Sequence, residues 1–314
     1  MSKTKALSIV LTFVFIFLTP LFGCNTSAPF THNERRLNKF PEKNDLAARG
    51  GEQELAQDES SRPGPVVAIP EARAGELTAG QVYNPVNPVN PVNPAKCVYL
   101  TFDDGPNSYF TGQILDILTE HQVKASFMVV GVNTEKNPEL IKRMVAEGHA
   151  VINHTYTHNY KKIYASPEAL IADLDRASQV LEKILGRPVK IFRAPGGPGR
   201  LTKAFYKKLK EHGYQLVGWN VTGADTDPKG VTPEQVYEHV VKGLAKVEKI
   251  HLTPIILLHD GTQVDTIEAA ANSALGKYIQ NRKSVVAALP KIIELMKSKG
   301  YTFAPVDENT PPPW

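Results

Sequence analysis

Cys97-Val98-Tyr99-Leu100-Thr101-Phe102-Asp103-Asp104-Gly105-Pro106 decides how the chain is read. A short apolar run with the composition of a strand leads straight into two adjacent carboxylates and a Gly-Pro turn. Like charges this close raise one of their pKa values unless a cation or metal offsets them. Asp and Gly-Pro also suit a plain acidic turn. The stretch alone leaves both readings open.

From there to the C-terminus, short apolar runs alternate with longer amphipathic stretches. The runs predict strands over 97–102, 125–130, 150–153, 189–192, 215–219, 255–258 and 301–304. Helices are predicted near 112–121, 138–147, 167–185, 203–212, 233–247 and 283–299. Pro138, Pro167 and Pro233 stand where a first helical turn tolerates proline, with Asn137, Ser166 and Thr232 before them as caps. Gly148, Gly186, Gly213 and Gly300 fall just past predicted helix ends, where a left-handed residue is needed. Strand–helix alternation implies an α/β fold of parallel strands covered by helices, in a barrel or a doubly wound sheet. Both gather chemistry at the carboxyl ends of strands.

The reactive side chains stand at those ends. After the third strand comes Asn153-His154-Thr155-Tyr156-Thr157-His158. Two His four residues apart can lie on one side of a helical turn and share a metal. With a carboxylate from a neighbouring strand end they form a two-His, one-carboxylate set suited to zinc or a similar divalent ion. The fourth strand ends in Arg193-Ala194-Pro195-Gly196-Gly197. No Gly-Lys-Ser/Thr follows, and Pro195 and Pro198 remove amides that a phosphate cradle would use. The fifth ends in Trp219 and runs on to Asp225, and the sixth in Leu257-Leu258-His259-Asp260. Trp219 suits a core position more readily than a sugar platform. His121 and His212 lie near helix C-termini, where a cation is welcome, and His149 enters a strand after a glycine.

Upstream, Lys3 and Lys5 precede an apolar run from Ala6 to about Phe22, the layout of an export signal somewhat short for a bilayer span. The run ends in Leu21-Phe22-Gly23-Cys24. A small residue before Cys at that place resembles a bacterial lipoprotein cleavage site, making 1–23 the signal and Cys24 the lipid-bearing N-terminus. An uncleaved anchor and ordinary cleavage to a soluble product are the alternatives. The chain is thus expected to be exported, on the outer face of the membrane if lipid-anchored and otherwise secreted or in the wall. Residues 24–95 are too polar to bury a core and end in Asn-Pro-Val repeats that favour an extended rod. They read as a disordered tether before a globular domain at 96–305 and a C-terminal tail at 306–314. The net charge of +4 over 314 residues is spread too evenly to mark a nucleic-acid partner, and no protein partner is implied. Cys24 and Cys97 are the only cysteines, so lipid on Cys24 would leave no intrachain disulfide and make Cys97 a small apolar residue beside a strand.

Taken in order, Thr101–Pro106, His154–His158, Arg193–Gly197, Asp225 and Leu257–Asp260 resemble the five motifs of the polysaccharide deacetylases, the NodB-homology domains of carbohydrate esterase family four. The resemblance implies a distorted (β/α) barrel with fewer than eight regular units, in line with about seven parallel strands. It implies Asp104, His154 and His158 as metal ligands and Asp103 as general base. Arg193 would be its partner, His259 the general acid and Asp225 the carboxylate that orients that His. Gly196 would offer an oxyanion N–H, and Leu257 a wall of the acetyl pocket. The implied activity is removal of N-acetyl groups from a cell-surface polysaccharide. Peptidoglycan N-acetylglucosamine comes first as substrate, with chitin-like oligomers or an exopolysaccharide as alternatives. The cofactor is a divalent ion, zinc before cobalt. The fifth-strand loop departs: the family usually has Asp-x-x-Asp-Trp, and here Thr222-Gly223-Ala224-Asp225-Thr226 keeps only the second Asp. That puts packing behind His259 in doubt. Two other classes compete: another metal hydrolase on the same rim, such as a cyclic amidase, and a non-catalytic glycan binder.

Overall fold

The computed structural model describes residues 96–261 and 267–313. The expected signal, the Cys24 lipidation site and the tether lie outside them. Strands are β1 Cys97–Asp103, β2 Ser126–Val129, β3 Ala150–Asn153, β4 Ile191–Phe192, β5 Gln215–Leu216, β6 Val221–Thr222, β7 Ile255–His259 and β8 Thr302–Phe303. Helices are α1 Thr111–Glu120, α2 Gly131–Lys136, α3 Pro138–Ala146, α4 Tyr160–Ile163, α5 Pro167–Leu185, α6 Lys203–Glu211, α7 Pro233–Lys249 and α8 Ala274–Ser298. All strand pairs are parallel, in the order β5-β4-β3-β2-β1-β7-β6, with β8 also on β1.

β5 and β6 sit at opposite ends of that order yet belong to one extended segment. The Val217 N–H donates to Phe192 O (2.9 Å) and the Asn220 N–H donates to Ile255 O (3.1 Å). Residues 217–220 therefore span both edges of an otherwise open, distorted barrel. The strand expected over 215–219 is split here, because the Gly218 carbonyl accepts from Arg193 Nη2 (2.8 Å) instead of joining a ladder.

Alternation along β1 sorts the core. Val98, Leu100 and Phe102 are fully buried and join Ile256, Leu258 and the helices in the main apolar layer. Tyr99 faces the other way, into an interior cluster with Met128, Ile152, Val217, Ile255 and Val306. Thr101 and Asp103 share the face of Tyr99, so the barrel axis turns from apolar to polar toward the strand ends. Residues past β8 pack against the domain: the Val306 N–H donates to Ser126 Oγ (2.7 Å), and Asn220 Nδ2 donates to Pro313 O (3.1 Å). Cys97 opposite Thr302 is half-buried and unbridged.

Most helix punctuation behaves as expected. Ser166 accepts from the Ala169 N–H, Thr232 and Gln235 form a capping box, and the four glycines have φ of 70–79°. Asn137 is the exception: its side chain donates to Asn133 O (3.1 Å) and caps nothing. No helix among the described residues is long and apolar enough to cross a membrane.

Candidate active site

Register brings the motif residues to one rim. Asp103 lies opposite His259 of β7, and His154 and Arg193 come directly after β3 and β4, which pair at Asn153 and Phe192. The two adjacent carboxylates are separated by backbone. Asp104 adopts φ 77°, where its N–H reaches Met128 O (3.2 Å) and its carbonyl accepts from Asn133 Nδ2 (2.8 Å). Asp103 keeps the strand conformation. Its Oδ1 accepts from Arg193 Nη1 at 2.7 Å, and both side chains are buried. The same Nη1 donates to Thr101 Oγ1 (2.7 Å).

Asp104 turns to the imidazoles. Its Oδ1 is 3.1 Å from His158 Nε2 and 3.4 Å from His154 Nε2. His154 Nδ1 lies 2.9 Å from Arg193 O, a pure acceptor, so the ring hydrogen sits on Nδ1 and Nε2 presents its lone pair to the rim. Burial opposes charge on Asp104, but the imidazoles, His158 foremost, outweigh it and hold its carboxyl well below the usual range. Burial likewise opposes charge on His158, and Asp104 outweighs it, raising that imidazole.

The expectation that His154 and His158 share a helical turn is corrected. Thr155 (φ 69°) and His158 (φ 51°) are left-handed, and the segment is a loop. Asp173 of α5 holds it: Oδ1 accepts from the Tyr156 and Thr157 N–H groups (2.6 and 3.0 Å), and Oδ2 from Thr157 Oγ1 (2.8 Å). The rings still meet, with centroids 5.0 Å apart. Ligand atoms of Asp104, His154 and His158 lie within 4.8 Å of one another. Two imidazoles and one carboxylate, one ring fixed from behind by a carbonyl, form a donor set that fits a divalent cation.

Across the rim, His259 Nδ1 is 3.0 Å from Asp225 Oδ1, and the His259 backbone N–H donates to Asp225 Oδ2 (2.9 Å). Burial disfavours the charged ring, yet Asp225 outweighs it and raises the pKa above the ordinary histidine value. Asp225, itself wholly buried, moves down, because His259 and Arg282 overcome burial.

Gly196 has φ 71°, and a Cβ there would meet Tyr160 Cε1 at 2.8 Å. One on Gly197 would meet Trp219 Cη2 at 2.8 Å, so the partly buried Trp219 packs directly against the motif. Leu257 shares the inward face of β7 with His259 and is 7% exposed. Sequence reasoning missed Asp173, Tyr160 and Arg282, which sit on helices and reach the rim only through the fold. It gave no role to Asp260, the last residue of the Leu257–Asp260 motif. Asp260 is fully buried, accepts from Thr111 Oγ1 (2.5 Å), and burial raises its carboxyl to about 7.

Fold and rim together are those of a hydrolase built on a distorted (β/α) barrel. Residues 90–217 match the family model described as polysaccharide deacetylase. The chain is 34% identical over 213 residues to a peptidoglycan-N-acetylglucosamine deacetylase of Bacillus cereus, covering 68% of this chain and 87% of that one. It is 33% identical over 215 residues to a chitooligosaccharide deacetylase of Sinorhizobium fredii, covering 68% and 92%. The structure of a Streptococcus mutans CE4 esterase aligns at a TM-score of 0.58 and 29% identity, over 68% of this chain and 87% of that one. The chain belongs to the polysaccharide deacetylase family.

Proposed function

We propose that this deacetylase hydrolyses N-acetyl groups of amino sugars in a cell-surface polysaccharide, with peptidoglycan N-acetylglucosamine as its substrate and one divalent ion, zinc, as its cofactor. One observation carries the reading. Asp103 and His259 face each other across the β1–β7 register, each with its own buried partner, beside the three-ligand set.

Asp104, His154 and His158 would hold the ion. Bound there, it supplies Lewis-acid polarisation of the acetamide carbonyl and eases deprotonation of water. Asp103 accepts the proton of the attacking water at Oδ2, since Oδ1 is engaged by Arg193. That Oδ2 is 3.7 Å from His154 Nε2, on the ligand side of the pocket. The Gly196 N–H donates to the developing oxyanion. An amine leaves poorly unless protonated. His259, held through Nδ1, delivers that proton from Nε2. Leu257, two residues before it on the same face, bounds the acetyl methyl, and Trp219 supports Gly197 from behind.

The basic N-terminus, apolar run and Cys24 support export and lipid anchoring at the outer membrane face, with residues 24–95 as the spacer. That topology, together with the Bacillus cereus relative, favours peptidoglycan; the Sinorhizobium fredii relative favours short chitin-like oligomers as second substrate. The test is acetate release by the purified protein from peptidoglycan, chitin oligomers and an acetylated exopolysaccharide in parallel, with small cyclic amides as a control. The largest kcat/KM is expected on peptidoglycan. A larger value on chitin oligomers would reassign the substrate, and hydrolysis of cyclic amides alone would overturn the reading.

A further inference from the structure

Asp225 is gripped from both sides. In front stands the His259 imidazole; behind stands Arg282, carried by α8 and fully buried. Arg282 Nη1 donates to Asp225 Oδ2 (2.9 Å) and Asp225 O (3.3 Å), while Nε donates to Gly261 O (2.8 Å). The Tyr278 ring lies 4.7 Å from the guanidinium, one helical turn away. Gly261 is itself pinned. Its N–H donates to Asp103 O (3.3 Å), and an added Cβ would overlap the Asp104 carbonyl. One planar fork thus ties the loop after β6 to the loop after β7, with His259 between its two attachment points.

A buried carboxylate without a countercharge tends to take up a proton, and it would then offer His259 only a weaker, neutral acceptor and no charge to hold the imidazolium. A buried cation without a carboxylate is equally costly, so neither Arg282 nor Asp225 is stable alone. The geometry repeats what Arg193 does for Asp103: a fully buried guanidinium binds a carboxylate at under 3 Å and a backbone carbonyl as well. It also bears on the altered fifth-strand loop. That loop lacks the Trp usual in the family, and Asp225 receives its rear support from α8.

We infer that Arg282 is a positioning residue for deacetylation. It clamps Asp225 and Gly261 so that the imidazole of His259 is aimed at the leaving amine. This rests on His259 as the general acid. Lysine can supply the charge but not a fork reaching both acceptors, and methionine supplies neither.

The test uses the full chain and the variants Arg282→Lys, Arg282→Met and His259→Ala. It follows kcat and KM for acetate release, bound zinc, and the melting midpoint. Arg282→Met is expected to lose at least about 100-fold in kcat, the scale of one acid–base role, with KM changed by less than about threefold and zinc retained. Arg282→Lys should recover about tenfold of that loss yet stay about tenfold or more below wild type, and millimolar guanidinium added to Arg282→Met should restore at least as much. A folded Arg282→Met with kcat within about threefold of wild type overturns the inference. So does a loss that neither lysine nor guanidinium restores, which would mark a purely structural residue. Should Arg282→Met not fold, Arg282→Lys decides: an unchanged kcat overturns the inference, and a lower kcat at unchanged KM and zinc supports it. Wild-type rates in His259→Ala would instead sink the general-acid reading, a separate outcome.

Discussion

Arg193→Met separates two jobs that one side chain performs. The guanidinium is wholly buried, binds Asp103 and Thr101 at 2.7 Å each, and donates to Gly218 O at 2.8 Å. Removing one partner of such a pair costs about 3–5 kcal/mol, because a charge stays buried without compensation. The Gly218 carbonyl loses its donor, a penalty of about 1–3 kcal/mol, while Thr101 keeps its bond to Ile256 O (2.7 Å). Asp103 can relieve part of the cost by protonation, so the net expectation is about 4 kcal/mol. For a domain of this size that lowers the melting midpoint by about 8–16 °C. Asp103→Asn alone leaves the cation buried but still bonded to Gly218 O, for about 3 kcal/mol. The double variant removes both charges, so it should lose about 2–3 kcal/mol less than the sum of the two. Urea unfolding of all four proteins measures this coupling, and acetate release is measured alongside. Stability should return in the double variant while turnover stays lost. Costs that add within about 0.5 kcal/mol would refute the claim that Arg193 exists to hold Asp103.

The same geometry carries further expectations. His259→Ala should keep its zinc and lose about 100- to 10,000-fold in kcat, read by acetate release with metal analysis on the same sample. As the proposed general acid, His259 would act in its protonated form, and its pKa is raised above 6.5 because Asp225 outweighs burial. Activity should therefore fall as pH rises through a value above 6.5, and an alkaline limb below 6.5 would contradict the pairing. His149 behaves oppositely: burial, then the charge of Lys124, depresses it from 6.5 to about 4, and its Nδ1 accepts from the Ala125 N–H (3.1 Å). Below pH 6.5 the unfolded chain gains a proton that the native state refuses. About 3 kcal/mol is then lost between pH 6.5 and about 4. Urea midpoints against pH should show that slope in the wild type and a shallower one in His149→Gln.

Much of the site was legible because parallel strands deliver their last residues to one rim. Asp103, His154, Arg193 and His259 each stand at or just past the end of an apolar run, which marks them as rim residues, while their roles come only from the family resemblance. Helix ends were legible where Pro, Ser or Thr and Gly carry local physics, as at Ser166 and Thr232. Periodicity failed where polar residues are buried. The predicted helix over 283–299 begins at Ala274, since Asn281 and Arg282 face inward, bonded to the Val231 N–H, Asp227 O, Asp225 and Gly261 O. A pattern that assigns charge to solvent cannot see that face. α2 went unseen because Gly131-Val132-Asn133-Thr134-Glu135-Lys136 has too few apolar residues to show a period. The split at Gly218 depends on Arg193, a partner remote in sequence.

Zinc titration of metal-stripped protein, scored by acetate release, addresses the convergence of Asp104, His154 and His158 most directly. Activity should rise in proportion to added ion and level off at one per chain, with Asp104→Ala binding none. Full turnover without metal, or undiminished zinc in Asp104→Ala, would contradict the single-ion site.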